Sequence, residues 1–144
     1  MGSNGIGKTR EGDKRTPTGT FNLTTPFGIK ADPGAQMAYT QVTDDHYWCG
    51  TSGSEYYNQL VTVSLTGRKW TKDDEHLIDY KGNYNYAMFI DYNADGAAGK
   101  GSCIFLHCKG KSTSTAGCVA ISEASMKKII QWARSGAKIV IKKA

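Results

Sequence analysis

Ser102-Cys-Ile-Phe-Leu-His107-Cys108 and Thr115-Ala-Gly-Cys118-Val-Ala-Ile-Ser122 decide both the fold and the site. A histidine closes the first apolar run, and a cysteine preceded by glycine opens the second. Short apolar runs of this kind are typical of buried strands. If the two strands are neighbours, the small, polar loop between them brings imidazole and thiol together at one end of a sheet.

This pairing is the one that cysteine acyl-transfer chemistry needs. A neutral thiol is a poor nucleophile, and a neighbouring imidazole can take its proton. Gly117 lets a substrate approach closely, and backbone N–H groups at such a turn can hold an oxyanion. Strand alternation places His107 and Cys108 on opposite faces, so Cys118 is favoured over Cys108 as the nucleophile.

The residues alone leave two other interpretations open. In the first, Cys118 is a buried structural cysteine. In the second, a zinc ion is held by four residues of these two stretches, namely Cys103, His107, Cys108 and Cys118. That set lacks the paired Cys-x2–4-Cys or His-x3–5-His spacing of most zinc sites.

The rest of the chain predicts a mainly β domain. Alternating and turn-bounded segments predict strands at 18–25, 37–42, 59–65, 84–92, 102–107, 117–121 and 138–143. Residues 43–58 are expected to form an ordered loop, and 73–78 has only weak helical character.

One helix is expected at about 122–135. Ser122 is its N-cap, and Gly136 is expected to end it. Its apolar stripe falls at i, i+3, i+4 and i+7 and consists of Met126, Ile129, Ile130 and Ala133.

Length and charge limit the classes of function. A chain of 144 residues suits one domain. The net charge of +5 is scattered over the sequence, which favours a solvated basic surface over a nucleic-acid site. No apolar run approaches the roughly 20 residues of a membrane span. Four cysteines do not form a disulfide scaffold, and only a bridge from Cys49 to Cys103 or Cys108 remains possible.

Further motifs follow one another in a recognisable order. They are Gly5-Ile-Gly-Lys8, Glu11-Gly-Asp13, Thr16-Pro-Thr-Gly-Thr-Phe21, Trp48-Cys49, Tyr57-Asn58, Tyr92-Asn93, and the two stretches quoted above. Taken together, they resemble the L,D-transpeptidase catalytic domain family, which is YkuD-like. The resemblance covers nearly the whole chain. Two positions differ from many members: Ala116 stands where a histidine is common, and Ala120 stands where arginine or asparagine is common.

The resemblance implies a YkuD-like β-sandwich of mixed sheets, spanning residues 1–144 as one catalytic domain. It implies that the usual N-terminal strand or strands, and any signal or anchor segment, lie outside this sequence. Cys118 would be the nucleophile and His107 the general base, and Thr115 and Gly117, which match the small-hydroxyl and glycine positions before the nucleophile, would belong to the same catalytic site. Four aromatic or amide residues would contact substrate: Trp48, Tyr57, Asn58 and Tyr92. No metal or organic cofactor is implied.

The implied function is peptidoglycan L,D-transpeptidation in the cell wall or periplasm, and hence a part in cell-wall biogenesis and cell shape. Cys118 would form a thioester with a tetrapeptide stem and release D-Ala. A diamino-acid amine on a second stem would then resolve the thioester to a 3→3 cross-link. Carbapenems would acylate Cys118. The alternatives are an L,D-carboxypeptidase that uses the same thioester and a non-catalytic peptidoglycan-binding module.

Overall fold

The main sheet is built around one long strand, β1 (Gly19–Gly28), in the computed structural model, which describes residues 1–144. Its first half pairs antiparallel with β8 (Lys138–Ile141), and its last residues pair parallel with β2 (Thr40–Gln41). Between these it pairs antiparallel with β5 (Ala87–Ile90), with a shift of register after Thr24. The shift coincides with a left-handed Thr25, at φ 48°, so β1 bends there and serves two parts of the sheet.

The sheet continues from β5 towards the sequence stretches that carry the chemistry. β5 pairs antiparallel with β6 (Phe105–Cys108), and β6 pairs parallel with β7 (Val119–Ile121). A separate antiparallel ribbon joins β3 (His46–Trp48) to β4 (Leu60–Thr62). This mixed-sheet, mainly β architecture confirms the predicted fold class.

Side-chain alternation divides the interior into two cores, one on each face of the sheet. Met88 and Leu106 face a core that is covered by α2 (Glu123–Trp132). Phe89 and Phe105 face the other core, which contains Trp48 of the β3–β4 ribbon. Because successive residues of a strand point to opposite faces, β5 and β6 supply both cores at once.

The predicted helix is present as α2, with a different end. Ser122 accepts a hydrogen bond from the Ser125 N–H, as an N-cap does. The helix ends at Trp132, because Ala133 is extended while its N–H still donates to the Ile129 carbonyl oxygen. Gly136, at φ 94°, lies in the turn that follows, so the prediction that it ends the helix is wrong. No helix of the protein has the length and apolar character needed to cross a bilayer.

Several predicted strands are shorter than expected, and each has a local cause. The strand predicted at 59–65 stops at Thr62, whose side chain accepts from the Leu65 N–H and caps the short α1 (Val63–Thr66). The strand predicted at 102–107 begins only at Phe105, because Cys103 is left-handed, at φ 57°. The expected loop at 43–58 contains β3, and the weak helix at 73–78 is a 3-10 turn, Leu77–Asp79.

Candidate active site

The register of two parallel strands brings the predicted pair to one face of the sheet. Leu106 of β6 lies opposite Val119 of β7, and His107 lies opposite Ala120. Cys118, one residue before β7, is therefore level with Phe105, and its side chain joins the same core as Phe105. His107 stands two positions further along that face, about 7 Å along the strand. The opposite face takes Cys108, as strand alternation predicted.

The thiol of Cys118 is anchored by backbone groups of the neighbouring strand. Sγ donates to the carbonyl oxygen of Cys103 at 3.2 Å and accepts from the Phe105 N–H at 3.4 Å. No hydrogen bond joins it to the imidazole of His107 in the free protein. In the free protein the thiol proton is therefore directed to a backbone carbonyl and not to the imidazole.

The imidazole of His107 has a fixed tautomer. Nδ1 lies 2.8 Å from the carbonyl oxygen of Cys108, and a carbonyl can only accept, so Nδ1 carries the hydrogen. The ring of Tyr84 packs edge-to-face against the imidazole, with centroids 5.3 Å apart. Nε2 is thus the nitrogen left with a free lone pair, and a buried aromatic side chain holds the ring in place.

A tight turn precedes Cys118. The hydroxyl of Thr115 accepts from the Gly117 N–H at 3.1 Å and donates to the Cys118 carbonyl oxygen at 2.7 Å. Gly117 has φ 148°, and an added Cβ would lie 2.9 Å from the Arg15 carbonyl oxygen. Only glycine fits there without movement of the backbone.

The N-terminal segment braces the same turn from the other side. The Thr115 N–H donates to the Met1 carbonyl oxygen, and the Ser3 N–H donates to the Thr115 carbonyl oxygen. Gly2 is in turn fixed by the hydroxyl of the buried Thr16 at 2.8 Å. Residues 1–3, which precede the Gly5–Lys8 motif, thus support the loop before Cys118 directly.

Burial keeps both reacting groups uncharged at neutral pH. It raises the pKa of the Cys118 thiol to about 12, and the nearby Glu75 carboxyl acts in the same direction. Burial also lowers the pKa of His107, although the hydrogen bond to Cys108 opposes this. The resting site therefore holds a thiol and a neutral imidazole, which can accept a proton.

A cavity of about 420 Å³ opens over this pair. Cys118, His107, Thr115 and Cys103 line its reactive end. Seven ionisable side chains also line its wall, and they are Lys8, Glu11, Lys14, Asp73, Glu75, Tyr80 and Tyr84. The space suits a flexible chain of several polar groups more than a flat apolar ligand.

A buried ion pair shapes one wall of the cavity. Lys8 Nζ lies 2.9 Å from Asp13 Oδ1, and both side chains are almost completely buried. Asp13 also accepts from the backbone N–H groups of Thr9, Arg10 and Arg15. Burial alone would raise the pKa of Asp13, but these hydrogen bonds outweigh it and hold that pKa well below the usual range. The motif therefore closes into a rigid loop at the edge of the cavity.

Comparison with protein-family models matches residues 1–141 to the L,D-transpeptidase catalytic domain, YkuD. The chain belongs to this family. L,D-transpeptidase catalytic domains are enzymes that act on peptidoglycan peptides, and the sequence resemblance is confirmed at the level of the family. No curated protein and no solved structure matched the chain.

The four residues expected to contact an L,D-transpeptidase substrate are placed elsewhere. Trp48, Tyr57, Asn58 and Tyr92 are buried, and none of them lines the cavity. Asn58 accepts from Trp48 Nε1 at 3.0 Å and donates to the Tyr92 carbonyl oxygen at 3.0 Å. Their aromatic and amide groups are used in packing and in a hydrogen-bond network under the site, so we do not propose them as substrate contacts.

The zinc and disulfide alternatives do not agree with the structure. Cys108 faces the core under α2, whereas Cys118 and His107 face the other core, so the four proposed zinc ligands cannot converge. No three His, Cys, Asp or Glu side chains are grouped as metal ligands anywhere in the chain. All four cysteines are free, and Cys49 is buried against Tyr47 and Val61 of the ribbon.

Sequence reasoning missed an acidic residue at the cavity. Glu75 lies in a charged segment that is typical of solvated surface. Reciprocal backbone hydrogen bonds with Trp48 instead draw it against β3. Exposure alternates along Asp73, Asp74 and Glu75, as it does in a short extended segment, and Asp74 is the buried residue. Nothing in the local sequence, however, indicates that this segment pairs with Trp48.

Proposed function

We propose that this protein is a peptidoglycan L,D-transpeptidase that works through a thioester on Cys118. The proposal is supported above all by one observation: Cys118 and His107 share a face of the sheet beneath a cavity that lies next to both. Membership of the L,D-transpeptidase family, matched over residues 1–141, supports peptidoglycan peptides as the class of substrate.

In the first step, the carbonyl carbon before the terminal D-Ala of a tetrapeptide stem is attacked by Sγ. Its proton passes to Nε2 of His107, directly or through one water. The hydrogen bond from Nδ1 to the Cys108 carbonyl oxygen stabilises the imidazolium that forms. The imidazolium then gives the proton to the amine of the departing D-Ala, and the thioester remains.

The oxyanion of the tetrahedral intermediate needs backbone donors. Gly117 already donates its N–H to the Thr115 hydroxyl. The N–H of Cys118 makes no hydrogen bond within the protein, so we assign the oxyanion to it. Thr115 and Gly117 thus have a positioning role, because they fix the direction in which this N–H points.

In the second step, an amine of a neighbouring stem attacks the thioester. The Sγ–C bond breaks, an amide forms, and the thiol is regenerated through His107. The product is a 3→3 cross-link. We place this reaction outside the cytoplasm, in the cell wall or periplasm, where the substrate lies. No metal or organic cofactor takes part in these steps.

The test is incubation with a disaccharide-tetrapeptide, followed by mass spectrometry of products and of the intact protein. We expect release of D-Ala, a cross-linked dimer and a thioester on Cys118. Cys118→Ala should abolish all three, while Cys108→Ala, which removes a thiol on the opposite face of the sheet, should retain them. Full activity of Cys118→Ala would refute the mechanism.

Two other outcomes separate the alternatives. Free tripeptide without any dimer would identify an L,D-carboxypeptidase, in which water resolves the thioester. Binding of peptidoglycan with no thioester and no D-Ala release would identify a non-catalytic module. A carbapenem gives an independent check: its adduct should map to Cys118, and an adduct on Cys49, Cys103 or Cys108 would reassign the nucleophile.

A further inference from the structure

One oxygen of the Glu75 carboxyl group has no N–H or O–H donor. Oε1 accepts from the Tyr84 hydroxyl at 2.9 Å, while Oε2 is buried and only the weak thiol donor of Cys103 acts on the carboxyl group besides Tyr84. A buried polar atom without a partner is costly, and every other buried side-chain nitrogen or oxygen of the protein has one. A feature that weakens the fold in this way calls for a functional explanation.

The position of Glu75 points to the cavity. The residue is partly exposed and lines the same cavity as Cys118 and His107. The Tyr84 that holds its other oxygen also packs on the imidazole of His107. The carboxyl group therefore borders the same space as the thiol of Cys118 and the imidazole of His107.

The charges of the cavity wall are divided between two segments. Lys8 and Lys14 come from the N-terminal motif, and Lys8 is neutralised by Asp13. Asp73 and Glu75 come from the segment that pairs with β3. Glu11 is engaged by the hydroxyls of Tyr57 and Ser102. The wall that contains Glu75 is therefore acidic, and Oε2 of Glu75 is available to accept a hydrogen bond from a ligand.

An acidic group at this place matches the chemistry of the second substrate. The free amine of a stem peptide arrives as an ammonium ion, which must lose a proton before it can attack. We propose that Glu75 is the catalytic residue that binds this ammonium group and takes its first proton, so that the thioester is transferred to an amine and not to water. This inference rests on the function proposed above and names its acceptor class, a primary ammonium.

The proton balance follows from the groups in place. The ammonium gives one proton to Glu75 and becomes a neutral amine. The amine adds to the thioester carbonyl, and its second proton passes to Nε2 of His107. Sγ leaves as the amide forms, and His107 returns the proton to it. Glu75 then releases its own proton to solvent with the product.

The ionisation of Glu75 is compatible with this role. Burial raises its pKa to about 7, against the effects of the Tyr84 hydroxyl and the Cys103 thiol. Burial also raises the pKa of Tyr84 well above its usual value, so the phenol remains a donor to Oε1. A carboxyl group of this kind exchanges a proton readily at neutral pH.

The test separates acylation from transfer. The full chain is given a disaccharide-tetrapeptide donor with either Nα-acetyl-lysine amide, whose amine is an ammonium ion at neutral pH, or hydroxylamine, which is uncharged there. D-Ala release measures acylation, and the ratio of transfer product to free tripeptide measures the choice of acceptor. Glu75→Gln keeps the shape and an acceptor for Tyr84 but cannot take a proton.

For Glu75→Gln we expect the transfer ratio with the lysine derivative to fall at least about tenfold, with D-Ala release and the hydroxylamine ratio unchanged. Asp95→Asn, the loss of an exposed carboxylate that lies outside the cavity, should change neither ratio. The inference would be overturned if Glu75→Gln had the same transfer ratio with the lysine derivative as the unsubstituted protein. It would also be overturned if the ratio fell equally with the lysine derivative and with hydroxylamine, or if the unsubstituted protein were acylated but transferred the acyl group to neither amine. No acylation of that protein would instead refute the proposed function.

Discussion

His107 donates its Nδ1–H to the carbonyl oxygen of Cys108, the next residue in the chain, at 2.8 Å. The bond is possible because Cys108 points to the opposite core while its backbone stays at the edge of the site. It fixes the neutral imidazole with its lone pair on Nε2. A backbone carbonyl thus takes the place at Nδ1 that a carboxylate has in Ser-His-Asp sites.

His107→Asn tests this arrangement. The asparagine amide can still donate to the Cys108 carbonyl oxygen but cannot accept the thiol proton. We expect acylation, measured as D-Ala release, to slow by about 10² to 10⁴-fold, with little change in the melting temperature. An activity close to that of the unsubstituted protein would mean that His107 is a packing residue and that another group deprotonates Cys118.

Alkylation of Cys118 by iodoacetamide should report a thiol and not a preformed thiolate. Since burial raises its pKa to about 12, the rate should climb about tenfold per pH unit from pH 7 to 10 without reaching a plateau. An ordinary cysteine would level off near pH 8.5. Peptide mapping identifies the modified residue, and Cys118→Ala gives the background. A plateau below pH 8 would reveal a thiolate–imidazolium pair at rest and contradict the neutral resting state.

The sequence predicted Cys118, His107 and their common face because strand alternation is a local property. Phe105 and His107 fall on one face in any register. Local patterns could not predict which distant segment each stretch of the chain pairs with or packs against. Glu75 reaches the cavity through backbone pairing with Trp48, and Tyr92 is buried in the core, where Phe21 packs edge-on against it. Both depend on contacts between distant parts of the chain.

Gly117→Ala should damage the turn that presents the nucleophile. Its Cβ would lie 2.9 Å from the Arg15 carbonyl oxygen and 3.0 Å from Ile104 Cδ1, at an unfavourable φ of 148°. We expect a loss of about 1–3 kcal/mol in the free energy of unfolding, measured with urea. Gly53→Ala is the matched control, because Gly53 also has positive φ, 89°, but open space around it. Equal losses at both positions would show that backbone strain, and not the close approach, makes glycine necessary at 117.

The buried pair of Lys8 and Asp13 should respond unequally to removal of its two partners. Asp13→Ala leaves a buried ammonium and three backbone N–H groups without their acceptor, whereas Lys8→Met leaves a carboxylate that those N–H groups still solvate. We therefore expect Asp13→Ala to cost about 3–5 kcal/mol in the free energy of unfolding and Lys8→Met clearly less.

Acid should have the same effect as removal of the Asp13 carboxylate. The pKa of Asp13 is held below its unfolded value of 3.8, so its contribution is complete above that pH and is lost as the pH falls further. Thermal unfolding of Asp13→Ala, Lys8→Met and the unsubstituted protein between pH 2 and 7 measures both the loss of stability on substitution and its dependence on pH. Asp13→Ala should lose less stability below pH 4 than the unsubstituted protein does. Parallel curves for the two proteins would mean that Asp13 does not contribute to acid unfolding.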